Sequence, residues 1–186
     1  MYEDKKYNTV QIGDQCWLKE NLDVGEMIDG VQNMTSNGEV EKYCWGDIPS
    51  NCVKYGGLYQ WDEVMQYSTE SVQGICPDGW HIPAKAEYQS LIFAVDGNIN
   101  DLKEIGQGTG VGVGTNVSGF SVLLVGNRND DTRFIGEGKY AHFWTSSEVN
   151  SIYAHRLLLR YDTASYDLSR STVYKTHGFQ VRCIKD

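Results

Sequence analysis

Two stretches in the first half of the chain repeat apolar residues at helical spacing. The first has them at Leu58, Trp61, Val64 and Met65, and the second at Tyr88, Leu91, Ile92 and Val95. Spacings of three and four residues place such side chains on one face of a helix. The second stretch also begins at a proline, which is favoured in the first helical turn. We therefore predict two helices, over residues 57–67 and 83–95.

The rest of the chain contains short runs of alternating or clustered apolar residues, which are typical of strands. The predicted strands cover residues 9–12, 120–125, 143–145, 154–161 and 179–184. Residues 23–56 are polar and punctuated by glycine, so we predict a long loop there. Because no internal repeat or proline-rich or serine-rich linker divides the chain, we predict a single domain of the α+β class over residues 1–186.

Charge and hydropathy exclude two classes of partner. The 186 residues carry 25 acidic and 16 basic side chains, a formal charge of -9. Binding to nucleic acid needs clustered lysine and arginine, so we expect no nucleic-acid partner. The longest apolar runs, residues 91–95 and 122–125, are too short to span a bilayer. The residues after Met1 do not form a secretory signal, so we expect any signal or anchor to be absent from this sequence.

Five cysteines bear on the compartment of the protein. None forms the Cys-x-x-Cys pair of zinc ribbons and thioredoxin-like sites. Cys44 and Cys52 flank a turn-like stretch, Cys76 precedes a Pro-Asp-Gly turn, and Cys183 lies near the end of the sequence. The sequence alone does not fix which cysteines pair. We expect disulfides Cys44–Cys52 and Cys76–Cys183 with Cys16 free, and therefore an extracellular or cell-surface location.

Six motifs occur in an order that resembles one known family. They are VQIGDQCW (10–17) continuing to ENL (20–22), YGGLYQW (55–61), CPDGWHIP (76–83), GFS (119–121), FWTSSE (143–148) and GFQVRC (178–183). The series resembles the Fibrobacter succinogenes major paralogous domain family over nearly the whole chain. The resemblance implies a C-type-lectin-like fold with two helices, small antiparallel sheets and long loops, in a surface or secreted domain that is often part of a lipoprotein.

The resemblance also bears on the cysteines and on activity. It implies that Cys44, Cys52, Cys76 and Cys183 are the family's paired cysteines, whereas Cys16 lies where the family keeps none. The family has little assigned biochemistry, and a fold does not by itself assign a function.

Residues 149–177 differ in composition from the rest of the chain. Lys, Glu, Gln, Met and Trp supply 39 of the 186 residues, so about six are expected in this segment, but only Lys175 is present. These five types are the ones that adenine-directed mutagenesis of AAC or AAT codons cannot produce. The segment therefore resembles the variable region of a diversity-generating retroelement target, whose varied side chains form a binding surface on the same lectin-like fold. An ordinary β-hairpin with few long side chains is the alternative.

Strand alternation within this segment separates core side chains from displayed ones. We expect the core face to carry Leu157, Leu159 and Tyr161. We expect the opposite face to carry Arg156, Leu158, Arg160 and Asp162. Tyrosine and arginine commonly carry affinity at such surfaces, while smaller polar residues add hydrogen bonds. The predicted ligand-binding residues are Ile152, Tyr153, His155, Arg156, Leu158, Arg160, Asp162, Thr163, Ser165, Asp167, Ser169, Arg170, Tyr174 and His177.

The remaining motifs bear on ion binding and catalysis. Sugar-binding lectins of this fold hold calcium through Glu-Pro-Asn or Gln-Pro-Asp and Trp-Asn-Asp motifs, and neither occurs here. We interpret the acidic run 127–131 as a solvated turn, and the glycine-rich run 106–114, which lacks the lysine of a P-loop, as a flexible loop. The four histidines have no zinc-ligand spacing. We expect no metal, cofactor or catalytic site.

These observations lead to one functional hypothesis and two alternatives. We expect a non-enzymatic recognition module, an adhesin or receptor-binding tip, that binds a protein or glycan on another cell or surface through residues 149–177. The alternatives are a calcium-dependent carbohydrate-binding lectin and a structural lipoprotein domain without a specific ligand.

Overall fold

Three α-helices and a series of short strands make up the computed structural model, which describes residues 1–68, 72–168 and 172–186. The helices are α1 (Pro49–Tyr55), α2 (Trp61–Val64) and α3 (Lys85–Ala94). The strands β1 to β12 are, in order, Thr9–Ile12, Gln15–Leu18, Glu26–Met27, Glu41–Lys42, Trp80–His81, Asn127–Arg128, Phe134–Ile135, Tyr140–Glu148, Tyr153–Arg160, Tyr166–Asp167, Thr172–Tyr174 and Ile184–Lys185. The α+β class is confirmed, with three helices in the described residues where two were predicted.

Helix α3 lies where the apolar spacing predicts it. The Glu87 carboxylate accepts a hydrogen bond from the Ala84 backbone N–H at 2.7 Å, which satisfies one of the free donors at the helix start. Tyr88, Leu91 and Ile92 form its buried face. The periodic pattern and the cap residue therefore agree with the observed helix.

The other two helices differ from the prediction. Helix α2 ends at Val64 rather than continuing to residue 67, because the backbone of Gln66 has a φ of 53°, outside the helical region. Helix α1 lies inside the predicted loop 23–56. It starts at Pro49 and buries Cys52, which is in a disulfide, so a covalent bond rather than an apolar repeat anchors it.

The predicted strands are only partly present. Strand β8 contains the predicted run 143–145, and β9 contains the predicted run 154–161 except Tyr161, which lies in the following turn. The predicted strand over 120–125 is wrong, because Val122 makes only an isolated bridge with Lys103 and Ser121 has a φ of 60°. Of residues 179–184, only Ile184 belongs to a strand, β12, while Phe179 and Gln180 make isolated bridges.

Two small sheets organise the molecule. In the first, the antiparallel order is β1-β2-β12-β5. In the second, β9 is central, with β8 along one edge and with β11 and β10 along the other. The remaining pairs are parallel β3-β4 and antiparallel β6-β7. Because β12 lies between β2 and β5, segments that are distant in sequence share one sheet.

The second sheet packs against α3 through one of the two apolar clusters. Tyr88 and Leu91 of α3 are buried in this cluster with Phe143 of β8 and with Leu157 and Leu159 of β9. The other cluster lies around α2 and includes Tyr59, Trp61, Trp144 and Phe179. The helix side of β9 is therefore core.

The cysteines form the expected disulfides. Cys44 bonds to Cys52 and Cys76 bonds to Cys183, with sequence separations of 8 and 107 residues, and Cys16 is free. Structural disulfides of this kind indicate an oxidising, extracellular environment. Among the described residues, no helix has the length and apolar character needed to cross a lipid bilayer.

Buried basic side chains hold several loops in place. The Lys103 ammonium group is fully buried and donates hydrogen bonds to the backbone carbonyls of Gly112, of Arg160 at 2.9 Å and of Thr163 at 3.1 Å. These bonds tie the glycine-rich run 106–114 to the end of β9. Burial lowers the pKa of Lys103 to about 8. The glycine-rich run is thus a loop, as predicted, but one that is anchored to the sheet.

Candidate functional site

An open cavity of about 340 Å³ lies on the face of β9 that points away from α3. Strand β9 contributes Arg156, Leu158 and Arg160 to its wall. The surrounding segments contribute Asn127, Asn129, Tyr140, His142, His177 and Phe179, with Ile135 and Val173 at the apolar part of the lining. The cavity therefore combines cationic, amide and aromatic groups.

The alternation of side chains along β9 places these residues as predicted. Leu157 and Leu159 are each 0% exposed in the core, whereas Leu158 is only partly buried and Arg160 is exposed. Strand β8 runs antiparallel to β9 and pairs Leu158 with His142. Cross-strand partners point to the same face, so β8 supplies a second row of cavity residues.

Phe179 is the centre of the aromatic lining. Its ring stacks on the His142 ring, with a centroid distance of 4.7 Å and an interplanar angle of 15°. The His177 ring lies 5.4 Å away, and the Arg156 guanidinium lies 5.7 Å from the Phe179 centroid. Phe179 itself is 1% exposed and packs on Trp144 below, at 4.4 Å. The ring is therefore a fixed platform for groups that can be polar or charged.

The two histidines of the cavity are held in the neutral form. Burial, together with the nearby Arg156 and His177, lowers the pKa of His142 well below its usual value. Burial also lowers the pKa of His177, although its Nδ1–H donates a 3.1 Å hydrogen bond to the Tyr174 carbonyl. Within the described residues the His142 Nδ1 atom is buried without a hydrogen-bond partner. The His142 ring, stacked on Phe179, is therefore an uncharged part of the cavity lining.

The two arginines of β9 differ in their surroundings. Arg160 is exposed, lies over the Tyr140 ring at 5.8 Å, and donates hydrogen bonds from Nε and Nη2 to Asp162, each at 3.2 Å. Burial lowers the pKa of Arg156 to about 10, and Asp167 on the neighbouring strand β10 opposes this effect. Arg160 and Asp162 therefore form an exposed pair, whereas Arg156 is a partly buried group on the Phe179 platform.

A pair of tyrosines lies beyond the cavity, at the start of β9. Tyr153 pairs with Tyr174 of β11, and their rings lie 4.9 Å apart. Tyr174 in turn stacks near His177, with ring centroids 6.3 Å apart. Ile152 is 54% exposed beside this tyrosine pair. Tyr153, Tyr174 and His177 therefore form a row of rings that ends at the cavity lining, although alternation along β9 places Tyr153 on the side of Leu157 rather than that of Arg156.

Besides Ile152, Tyr153, Asp162 and Tyr174, four more of the predicted residues lie outside the cavity lining. His155 is on the α3 side of β9, where burial and then the charge of Lys85 lower its pKa. Thr163 uses its carbonyl to bind Lys103, and Ser165 is exposed in the following turn. Asp167 of β10 is the cross-strand partner of Leu158 of β9, and its negative charge acts to raise the pKa of Arg156. The predicted residues Ser169 and Arg170 are outside the described residues.

Lys175, the exception in the composition of residues 149–177, is buried. Its ammonium group lies 2.6 Å from a Glu148 carboxylate oxygen and 3.2 Å from one of Asp62. It also lies 4.1 Å from the centroid of the Trp61 ring. The single long charged side chain of the segment is therefore a structural residue that joins the segment to α2.

Sequence reasoning missed the half of the cavity that comes from outside residues 149–177. His142 and Tyr140 precede the predicted strand 143–145, and extending that strand by three residues would have placed both opposite β9. Asn127 and Asn129 belong to the acidic run 127–131, whose pattern predicts a solvated turn rather than part of a cavity. Phe179 lies in a family motif, but its position beneath Arg156 depends on long-range contacts that no local pattern encodes.

The acidic run 127–131 forms strand β6 and a turn. The Asn129 side chain accepts a 2.8 Å hydrogen bond from the Arg133 backbone N–H and closes the turn. Asp131 pairs with Arg133 at 3.0 Å, and Asp130 lies 3.8 Å from His177. Within residues 1–68, 72–168 and 172–186, no cluster of three histidine, cysteine or acidic side chains is arranged to hold a metal ion.

Comparison with known proteins identifies the family. The model of the Fibrobacter succinogenes major domain matches residues 10–185. The chain therefore belongs to this family, as its motifs indicate. No curated protein and no solved structure matches the chain.

Proposed function

We propose that this member of the Fibrobacter succinogenes major domain family is a non-enzymatic extracellular recognition module, an adhesin or receptor-binding tip. It binds a protein or glycan on another cell or surface at the face of β9 that carries the cavity. The observation that carries the proposal is the division of β9, which anchors Leu157 and Leu159 in the core and turns Arg156, Leu158 and Arg160 toward one cavity. Tyrosine, arginine and a rigid aromatic platform are typical of affinity-carrying surfaces.

We also propose that the architecture is C-type-lectin-like. Strand β12 lies between β2 and β5, so the early and late parts of the chain form one sheet. Beside this sheet, the disulfide Cys76–Cys183 joins residues that are 107 positions apart in the sequence. Long loops then lead to the second sheet, which carries the cavity. This arrangement supports the fold implied by the family motifs.

We further propose that residues 149–177 are diversified by a retroelement. In support, Lys175 is the one residue of the segment that such mutagenesis cannot create, and it is buried with Glu148 and Asp62. An unvaried codon at that position keeps the scaffold constant while solvated side chains change. The test is the coding DNA. A nearly identical repeat of the segment's own coding sequence should lie nearby, differ from it only at adenines, and stand beside a reverse-transcriptase gene. Absence of this repeat contradicts diversification.

The binding proposal is tested with the whole protein on two probes, a glycan array and a yeast-displayed library of extracellular protein domains. The double variant Arg156→Ala/Leu158→Asp should lose at least about tenfold in affinity for any ligand found, because both side chains line the cavity. The matched control is Arg133→Ala/Val117→Asp, at positions that are exposed and outside the cavity.

Each other outcome identifies a different function. Equal binding by both double variants places the ligand elsewhere and contradicts the proposal. Binding that is abolished by a calcium chelator supports a calcium-dependent lectin instead. Absence of ligand on both probes supports a structural lipoprotein domain without a specific ligand.

A further inference from the structure

We propose that a second cavity, of about 400 Å³, binds a small anionic group: a carboxylate, sulfate or phosphate. It lies between residues 19–21, 53–56 and 121–123, and shares no lining residue with the cavity on β9. The cavity is lined by four basic side chains and two acidic ones, in a protein whose formal charge is -9. This inference holds whether or not the β9 face binds a ligand.

The base of this second cavity is formed by Arg182, which is 1% exposed. Its Nη2 atom donates a 2.6 Å hydrogen bond to the Asn21 side-chain oxygen, and Nη1 donates to the Phe120 carbonyl. Both acceptors are neutral. Within the described residues its Nε atom is buried without a partner, and no carboxylate lies within 4.0 Å. Burial lowers the pKa of Arg182 to about 10, so the group is still charged at neutral pH.

A buried cation without a carboxylate is unusual, because the energy lost on removal from water is normally recovered from a paired charge. The Phe120 ring, 4.4 Å from the guanidinium carbon, and the Phe143 ring, at 5.4 Å, recover part of it. Neither ring supplies a negative charge. An anion in the adjacent cavity would supply the missing one.

Lysines at the rim add to the positive charge. Among the described residues, the Lys19 ammonium group has no ion pair or hydrogen bond. Lys54 donates a 2.6 Å hydrogen bond to the Tyr55 hydroxyl, which donates to Glu137 at 2.8 Å, so Glu137 offsets only part of its charge through an intervening group. Lys5 is the exception, since it pairs with Asp23 at 3.3 Å. Lys19 and Lys54 are therefore the rim charges that a bound anion would contact.

The two acidic residues of the lining are already engaged. The Glu20 carboxylate accepts hydrogen bonds from the Asn8 backbone N–H at 2.8 Å and from its side-chain amide at 2.7 Å. Glu104 accepts a 3.0 Å hydrogen bond from Asn116. Glu20 still exerts a charge effect on Arg182, which its pKa reflects. Removal of this charge should strengthen anion binding.

The experiment is a titration of the ¹⁵N-labelled protein at low ionic strength with four probes: sulfate, inorganic phosphate, D-glucuronate and uncharged D-glucose. We expect saturable amide shifts around residues 19–21, 54–56 and 121–123 with one or more anions and none with glucose. Saturation by sulfate or phosphate alone identifies a site for inorganic or ester anions, whereas saturation by glucuronate identifies a site for acidic sugars.

Variants localise the effect without disturbing the core. Lys19→Ala and Lys54→Ala should each weaken binding by about three- to tenfold, and Glu20→Gln should strengthen it by a similar factor. The control is Lys85→Ala, since Lys85 lies beside His155 and lines neither cavity. Absence of saturation with every anion, equal shifts with glucose, or equal weakening by Lys85→Ala would overturn the proposal.

Discussion

The two faces of β9 present the same residue type in opposite environments. Leu157 and Leu159 have no exposed surface and contact the residues of α3, whereas Leu158 between them is partly buried and borders a cavity. The inner leucines contribute to folding, while the outer one is surrounded by the ionisable groups Arg156 and His142. The comparison teaches that a single strand can separate stability from recognition by alternation alone.

Removal of a disulfide bond gives the largest expected effect on stability. Replacing Cys76 and Cys183 together by alanine should lower the free energy of unfolding by about 4–5 kcal/mol, because that disulfide closes a long loop in the unfolded chain. The same change at Cys44 and Cys52, with a sequence separation of 8, should cost less than about 3 kcal/mol. Urea unfolding of both variants gives the two values, and equal losses would contradict the loop-size explanation.

The leucines test the two faces directly. Leu157→Ala should lower the free energy of unfolding by about 2–5 kcal/mol, since it leaves a cavity in a closed core. Leu158→Ala should lower it by less than about 1 kcal/mol, because water already reaches that side chain. Chemical denaturation of the pair is a matched measurement. A larger loss at Leu158 would mean that the strand is inverted relative to the core.

Acid should lower the free energy of unfolding of the protein through His142 of β8, which pairs with Leu158 on the outer face of β9. Its pKa is lower in the folded chain than in the unfolded one, so the unfolded chain takes up the proton first as the pH falls. The stability from this group is complete above the unfolded pKa of about 6.5 and is lost as the pH falls, by at most about 1.4 kcal/mol per pH unit. His142→Phe, which keeps a ring on Phe179, should reduce this slope in unfolding curves taken between pH 7 and pH 5 (about the range where one histidine titrates).

His81 serves as the reference for the pH dependence of unfolding. Burial lowers the pKa of His81, but hydrogen bonds to Asp186 and Glu87 outweigh it and raise the pKa overall, so His81 stabilises the fold in acid. Because wild type and variant share His81, the difference between their slopes isolates His142. Identical slopes would show that His142 is not buried in solution.

The exposed arginine gives the smallest expected effect on stability. Arg160→Ala should leave the free energy of unfolding almost unchanged, since its pair with Asp162 is solvent-exposed. Arg156→Ala should cost more, because Arg156 is partly buried and covers the Phe179 ring. Thermal unfolding of the two variants ranks them, and the reverse order would contradict the difference between the two arginines.

The sequence predicts those parts of the fold that local chemistry determines. Periodic apolar residues and the Pro83 start predict α3, and alternation predicts the inward positions of Leu157 and Leu159. The family motifs predict the disulfides. In each case the signal lies within a short window or in a cysteine whose partner is known from the family.

The parts that were missed depend on distant partners. Helix α1 has no apolar repeat, since the disulfide of Cys52 fixes it. The apolar run 120–125 satisfies its backbone by binding Leu102 and Glu104 rather than a neighbouring strand. The cavity needs His142 and Phe179, which come from other segments. Sequence alone therefore predicts one wall of the site but not the cavity.

Lys175 has a practical consequence for anyone who builds a synthetic library on this scaffold. Its backbone N–H bonds to the Ile152 carbonyl at 3.0 Å, its carbonyl accepts from Trp61 at 3.0 Å, and its side chain joins Glu148 and Asp62. Randomising every codon from 152 to 177 would remove this junction from most clones. A library that keeps Lys175, Leu157 and Leu159 and varies the outward positions should yield a far larger share of well-expressed binders.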